Sequence, residues 1–174
     1  TMKNHNDTVS VPEAPTIKDS NQATPDVIES APTAEETISG PSEYEVMRTN
    51  SIAKKNRAIQ TKLEKVISYT KQTMVAYMSE EDLNRLCTYV AEYSSGDTLQ
   101  KITPVKVDSQ LKSIDIMHFG WNIGKAFGIK RIHTATFIKN VFAHTLRDLE
   151  ISTIERKMSH TESECYIKLQ QLKE

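Results

Sequence analysis

The sequence contains few of the residues that mark specialised classes of protein. Two cysteines in 174 residues exclude a disulfide scaffold, and five glycines exclude a collagen-like chain. No apolar run approaches the roughly 20 residues that a bilayer-spanning helix needs. Apolar residues make up 37% of the chain, whereas a globular domain usually has about 45–50% when glycine is included. Part of the chain therefore has too few apolar side chains to form a core.

Residue patterns that support catalysis or metal binding are also missing. No two of the five histidines have the i, i+4 spacing of a helical zinc site. Cys87 and Cys165 lie far apart and lack the paired spacing of zinc or thioredoxin-like sites. No Gly-x-Ser-x-Gly motif occurs. We therefore expect no catalytic residues, no metal ligands and no cofactor, and a protein that is not an enzyme.

The start of the given sequence bears on location. It is polar, so we expect no secretory signal and no membrane association. Without export to an oxidising compartment, both cysteines are expected to be reduced thiols. These features predict a cytoplasmic protein.

Charge is divided unevenly along the chain. Residues 1–47 carry nine acids and two bases, a net charge of −7, and the rest of the chain carries +6. Five of the six prolines lie within residues 1–43. Because low hydrophobicity with high net charge is typical of disorder, we expect a disordered acidic tail over residues 1–46. The tail is either a solvated linker, the carrier of a short recognition motif near Val27 and Ile28, or a competitor of anionic ligands for the basic remainder.

Residues 47–174 are expected to form a single, mainly α-helical domain that begins with a long helical hairpin over residues 51–94. In its first helix, the residues that recur at steps of three, four or seven are Ile52, Ile59, Leu63, Val66, Thr70, Met74 and Tyr77. Ser79, followed by three acids, predicts the start of the second helix at residue 80. The first helix either packs across the domain or forms part of a two-chain coiled coil.

Two short segments alternate apolar and polar residues, as strands do. They are residues 99–107, where Pro104 is tolerated on an edge strand, and residues 165–169. The pattern predicts a possible minor two-stranded β-ribbon, although the second segment could instead belong to a helix end.

Residues 109–147 predict two helices joined by a basic turn. The first spans about 109–127 and ends at Gly128, since glycine adopts the left-handed cap without steric cost. The turn covers residues 129–133, and Thr134 is expected to cap a second helix over 135–147. Beyond it, the Ser152 to Glu155 pattern resembles a capping box and predicts a short helix over 153–159.

This segment is basic as well as helical. From Ile116 to Arg147 the chain contains no acid. A helix, a basic turn and a second helix resemble a helix-turn-helix in outline, although the turn is longer than the usual three or four residues. The candidate nucleic-acid-binding residues are Lys125, Lys130, Arg131, Thr134, Thr136, Lys139, Asn140, His144 and Arg147.

Two functions follow from these patterns. The first is a small nucleic-acid-binding or regulatory protein that uses the helix-turn-helix-like segment. The alternative is a non-enzymatic adaptor or accessory subunit, which binds a partner chain or itself through the long first helix. It could also use the edge formed by Gly120, Gly124 and Gly128, which are spaced by four residues. Both features also have a purely structural explanation. The basic helix could simply be solvated, and the glycines could allow close packing within one chain.

Overall fold

The protein is mainly α-helical in a computed structural model that describes residues 40–97, 99, 101–162 and 164–172. The five helices among these residues confirm the predicted fold class, and the described residues from Pro41 onward belong to one compact unit. The helices are α1 (Glu43–Met74), α2 (Glu80–Ser94), α3 (Ser113–Phe127), α4 (Arg131–Val141) and α5 (Ile151–Lys157).

Helix α1 begins earlier than the sequence pattern predicts. Its cap is Ser42, whose hydroxyl accepts from the Glu45 N–H while the Glu45 carboxylate accepts from the Ser42 N–H. This reciprocal pair satisfies two orphan donors, so residues 43–46, which we expected in the tail, are helical. Residues 1–39 of the predicted tail lie outside the described residues.

The core lies between the C-terminal half of α1 and the other helices. Val66 and Met74 of α1 are buried, as are Leu86 and Val90 of α2. Helix α2 starts as predicted, because the Ser79 hydroxyl accepts from the Asp82 N–H at 3.2 Å. Residues 43–61 of α1, by contrast, are exposed throughout.

Helices α3 and α4 approach each other closely where α3 has glycines. A Cβ at Gly120 would lie 2.8 Å from the Ile138 side chain, and one at Gly124 would lie 2.6 Å from Thr134 Oγ1. Both distances are too short for a real Cβ, so α4 already occupies this edge and leaves no room there for a partner chain. Gly128 ends α3 with φ 70°, as predicted.

The turn between α3 and α4 is shorter than the sequence pattern predicts. It comprises Gly128, Ile129 and Lys130, which is the usual length for a helix-turn-helix. Thr134 is therefore not a cap: it lies inside α4 and is 2% exposed. Its hydroxyl donates to the Lys130 carbonyl at 3.2 Å.

Two other predicted helices have different bounds. Helix α4 ends at Val141 rather than at 147, and its terminal carbonyl accepts from the Val105 N–H at 2.9 Å. Helix α5 starts after Glu150, with no side-chain cap, so the predicted capping box at Ser152 is wrong.

The predicted β-ribbon is not formed, since the described residues of both segments contain no strand. The C-terminal segment, residues 164–172, bonds instead to a polar row on α3 formed by Asp115, His118 and Asn122. Asp115 Oδ1 accepts from the Ile167 N–H at 3.0 Å, and Asn122 Oδ1 accepts from the Gln170 N–H at 2.8 Å. The alternation of residues 165–169 thus reflects packing against a helix and not pairing with a strand.

Candidate nucleic-acid interface

Some of the nine predicted binding residues have structural roles. The Thr134 and Tyr93 hydroxyls share a buried hydrogen bond of 2.6 Å that joins α4 to α2. Lys139 Nζ donates to the carbonyls of Leu146 and Arg147, at 2.7 and 2.9 Å, and so satisfies carbonyls in the turn after α4. Thr136 donates to the Ile132 carbonyl within α4 at 2.9 Å. These groups are engaged inside the protein.

Arg131 joins α4 to α5. Its guanidinium donates to the carbonyls of Glu155 and Arg156 and to the hydroxyl of Ser159. It also lies 5.1 Å from the centre of the Trp121 ring, a cation–π distance. The sequence pattern placed Arg131 in the turn, and that prediction is wrong, because Arg131 is the first residue of α4.

The remaining predicted residues divide between two places. Lys125 and Lys130 are exposed at the end of α3 and in the turn. Asn140, His144 and Arg147 are exposed at the other end of α4 and in the turn after it, where Arg147 pairs with Asp148 at 3.4 Å. The nine residues therefore do not form one continuous basic patch.

Asn140 and Thr136 line a cavity of about 420 Å³ between α2, α4 and the segment that follows α2. Its floor includes the rings of Tyr93 and Phe137, which stack with centroids 4.2 Å apart. Burial raises the pKa of Tyr93 to about 12, against the opposing effect of its hydrogen bond with Thr134. This face of α4 thus borders a mostly apolar cavity.

The structure brings together a second set of cations that sequence reasoning missed. Between α1 and the end of α3 lies a groove of about 640 Å³, which we call the basic groove. Its cations are Lys54, Arg57, Lys62, Lys65 and Lys125, and its remaining lining residues are Ala58, Thr61, Val66, Ala126, Gln171 and Leu172. No acid is among these described lining residues.

The groove cations of α1 share one side of the helix because of their spacing. Lys54, Arg57 and Lys65, with Thr61 between the last two, follow the three- and four-residue steps that place side chains above one another, and Lys62 is one residue beyond Thr61. Residues 46–63 also contain five bases and no acid. This signal was visible in the sequence, but only the fold shows that these cations face Lys125.

An aromatic ring lies beside one of the groove cations, Lys125, although the ring itself does not line the groove. Trp121 is half-buried, not fully buried as a core anchor would be, and Lys125 Nζ lies 5.3 Å from its ring centre. With Arg131 on the same ring, two cations are held beside one indole. Cations beside an aromatic surface are typical of sites that bind nucleic-acid strands.

Other site classes find little support in the described part of the chain. No three His, Cys, Asp or Glu side chains of these residues lie together as a metal site requires. Cys87 and Cys165 are both free thiols, and burial raises the pKa of Cys87 while Lys71 opposes that shift. No helix among the described residues is both long and apolar enough to cross a membrane.

Comparisons of the chain with models of protein families, with curated proteins and with solved structures found no match. The arguments for a function therefore come from the residues and the geometry of this chain.

Proposed function

We propose that the protein is a non-enzymatic nucleic-acid-binding protein of the cytoplasm and that the basic groove holds the phosphate backbone. The observation that carries the proposal is the convergence of five cations from two helices on one groove with no acid among its described lining residues. Phosphate contacts by Lys and Arg supply most of the affinity for nucleic acid. The proposal moves the main binding surface from α4 to the groove beside α1.

The length of the groove favours a polyanion over a single small anion. Lys54 and Lys65 are separated by eleven residues, which is about 16 Å along a helix axis. Successive phosphates of one strand lie about 3.4 Å apart along the axis of duplex DNA. A row of cations of this length therefore matches several phosphates, whereas one phosphate would contact only one end.

The experiment compares two double variants of equal charge. Lys54→Ala with Arg57→Ala removes two cations of the groove, and both are on the exposed half of α1, where they support no core. Lys106→Ala with Lys157→Ala removes two exposed lysines that do not line the groove. Arg131 is unsuitable because its loss would also weaken the contact between α4 and α5.

Binding to labelled duplex and single-stranded oligonucleotides is measured by fluorescence anisotropy at low salt. The groove variant should bind at least about tenfold more weakly than the wild type, because two lost phosphate contacts of roughly 1 kcal/mol each exceed the 1.4 kcal/mol of a tenfold change. The control variant should stay close to the wild type. Equal weakening of both variants would mean that only overall charge matters and that the groove is not the site.

Whether α4 reads bases is a separate part of the proposal. The three-residue turn supports a helix-turn-helix arrangement, and Asn140, His144 and Arg147 remain exposed beyond the engaged part of α4. Side chains of these types read base edges or hold phosphates. If α4 enters a groove of duplex DNA, Asn140→Ala should reduce the preference for one sequence over another without changing the affinity for random sequence.

A second candidate function, that of an adaptor, is favoured by α1 alone. Apolar side chains on its first 19 residues are exposed, including Tyr44, Met47 and Ile59 at 71%, 64% and 56%. The glycine edge does not serve this function, because α4 fills it. An adaptor would therefore bind its partner through the first half of α1.

A further inference from the structure

Half of α1 extends beyond the core as an exposed helix. Residues 43–61, which we call the projecting half of α1, are all exposed, and 19 helical residues extend about 28 Å. Five large apolar side chains on this half are exposed. They are Tyr44 at 71%, Val46 at 44%, Met47 at 64%, Ile52 at 49% and Ile59 at 56%.

Two of these side chains continue the stripe by which α1 packs on its own core. Ile52, Ile59 and Val66 are seven residues apart, and Val66 is 1% exposed. Asn56 and Leu63 each lie four residues after one of the isoleucines, so these residues follow the heptad pattern of a helix seam. The same face is thus buried near Val66 and exposed beyond it.

Charges border the exposed stripe on one side. A heptad repeat has two core positions, and here Ile52 and Ile59 occupy one of them while Asn56 occupies the other. Arg48 and Lys55 then lie on one flank of the seam. Ala53 and Gln60 occupy the opposite flank and carry no charge. Such flanking positions decide which helix pairs with which, because charges there meet charges of the partner.

A second copy of this chain does not match these flanks. Parallel pairing would place Arg48 and Lys55 against Ala53 and Gln60 of the other copy, with no acid to meet them. Antiparallel pairing would place the cations of both copies against each other. Since residues 46–63 carry five bases and no acid, two copies would also repel each other over these residues, which exclude only the first turn of the projecting half, with Glu43 and Glu45.

We propose that the projecting half of α1 docks an amphipathic helix of another protein whose apolar stripe is bordered by acidic residues. The partner's apolar side chains cover Ile52 and Ile59, and its carboxylates meet Arg48 and Lys55. This inference rests on the adaptor function, which it makes specific by naming the chemistry of the partner.

The docking stripe and the basic groove lie on different sides of α1. Ile52 and Ile59 lie about 140–180° around the helix from Lys54 and Thr61, given about 100° per residue. Nucleic acid bound at Lys54 and a helix on Ile52 and Ile59 would therefore contact different side chains, whereas Lys62 lines the groove and also lies on the charged flank of the stripe. This separation allows the two functions to be tested independently.

The test uses the full chain and synthetic three-heptad peptides. The acidic peptide has leucine at its two core positions and glutamate at its flanking positions, so that like charges prevent it from pairing with itself. Matched peptides carry lysine or glutamine at the same flanking positions. Binding is followed by fluorescence anisotropy, and analytical ultracentrifugation of the chain alone reports its oligomeric state.

The acidic peptide should bind saturably and at least about tenfold more tightly than the lysine peptide, because several flanking pairs change from attractive to repulsive. Ile52→Asp with Ile59→Asp should abolish this binding, whereas Ile132→Asp, at a position of α4 that is 40% exposed, should leave it intact. The Lys54→Ala, Arg57→Ala chain should keep the stripe and still bind the peptide. Circular dichroism checks that the variants remain helical.

Three outcomes would overturn the inference. Equal binding of all three peptides would show that α1 docks helices without regard to charge, which leaves the adaptor function but not its acidic partner. A dimer of the chain that Ile52→Asp with Ile59→Asp dissociates would assign the stripe to a second copy. Failure of every peptide to bind would overturn the acidic partner and the adaptor function, with no bearing on the groove.

Discussion

At the scale of single residues, buried polar side chains hold the C-terminal segment on α3. Asp115, His118 and Asn122 are each 1% exposed or less, yet every one has hydrogen-bond partners. Both nitrogens of the His118 ring lie within 2.7 Å of backbone carbonyls, those of Ile167 and His160. A buried polar group without partners is costly, so these residues fix where the segment lies.

Asn122 is the residue of this row with the widest set of partners. Its amide nitrogen donates to the Tyr69 hydroxyl at 2.8 Å and the Lys168 carbonyl at 2.9 Å, and its oxygen accepts from the Gln170 N–H. Asn122→Ala leaves these groups unpaired and should lower the free energy of unfolding by roughly 2–4 kcal/mol. Denaturant unfolding measures the loss, with Asn84→Ala on the exposed face of α2 as the control.

The Asn122 substitution should also have a local signature. The amide proton of Gln170 should exchange faster with solvent in Asn122→Ala, because its acceptor is gone. If the Asn122 and Asn84 variants lose the same small amount of stability, the polar row does not hold the segment as described.

Tyr93 makes the stability of the fold sensitive to alkaline pH. Burial raises its pKa from 10.0 to about 12 in the folded state. Its contribution to stability is complete below pH 10 and is lost as the pH rises through about 12, because the unfolded state ionises first. Two pKa units correspond to about 2–3 kcal/mol.

The corresponding experiment measures the free energy of unfolding of three proteins between pH 9 and 12. This range includes the shift of the Tyr93 pKa from 10.0 to about 12. Tyr93→Phe should lose less stability over this range than the wild type, although it is less stable near neutral pH without the bond to Thr134. Tyr44→Phe, at a ring that is 71% exposed, should follow the wild type. Parallel curves for all three would contradict the assignment to Tyr93.

At the scale of helices, α3 and α4 are positioned by the absence of two side chains. Gly124→Ala would place a Cβ 2.6 Å from Thr134 Oγ1, and Thr134 is held by Tyr93 and by the Lys130 carbonyl. Since Thr134 has little freedom to move, α4 must shift, and we expect a loss of roughly 1–3 kcal/mol. Gly40→Ala, where nothing lies within 4 Å, is the matched control.

Thermal unfolding of both glycine variants tests this account of the helix contact. A lower melting temperature for Gly124→Ala than for Gly40→Ala is the expected result. Gly124→Ala with wild-type stability would show that α3 and α4 can separate without cost, and the glycines would then need another explanation.

Local chemistry made several helix ends predictable from sequence. The starts and stops at Ser79 and Gly128 depend on neighbouring residues only, and both were predicted correctly. Thr134 was misinterpreted because a threonine before an apolar run has the pattern of a cap. Its burial against Gly124 depends on tertiary contacts, which sequence spacing does not contain.

At the scale of the whole molecule, the candidate site depends on which helices meet. The cations of residues 109–147 could be identified in the sequence. Arg131 and Lys139, however, donate hydrogen bonds to backbone carbonyls of the protein itself. The cations of α1 have regular spacing, but only their position opposite Lys125 makes them a groove. Charge patterns therefore led to the hypothesis of a nucleic-acid partner, and the fold was needed to locate the surface that we propose for it.

The most direct measurement of the central claim is the salt dependence of nucleic-acid binding. Each phosphate contact on duplex DNA contributes about −0.9 to the slope of log affinity against log salt, so five groove cations predict a slope of roughly −3 to −5. Lys54→Ala with Arg57→Ala should reduce its magnitude by about two, and Lys106→Ala with Lys157→Ala should not change it. A wild-type slope near zero, or the same slope in both variants, would contradict the assignment of nucleic-acid binding to the basic groove.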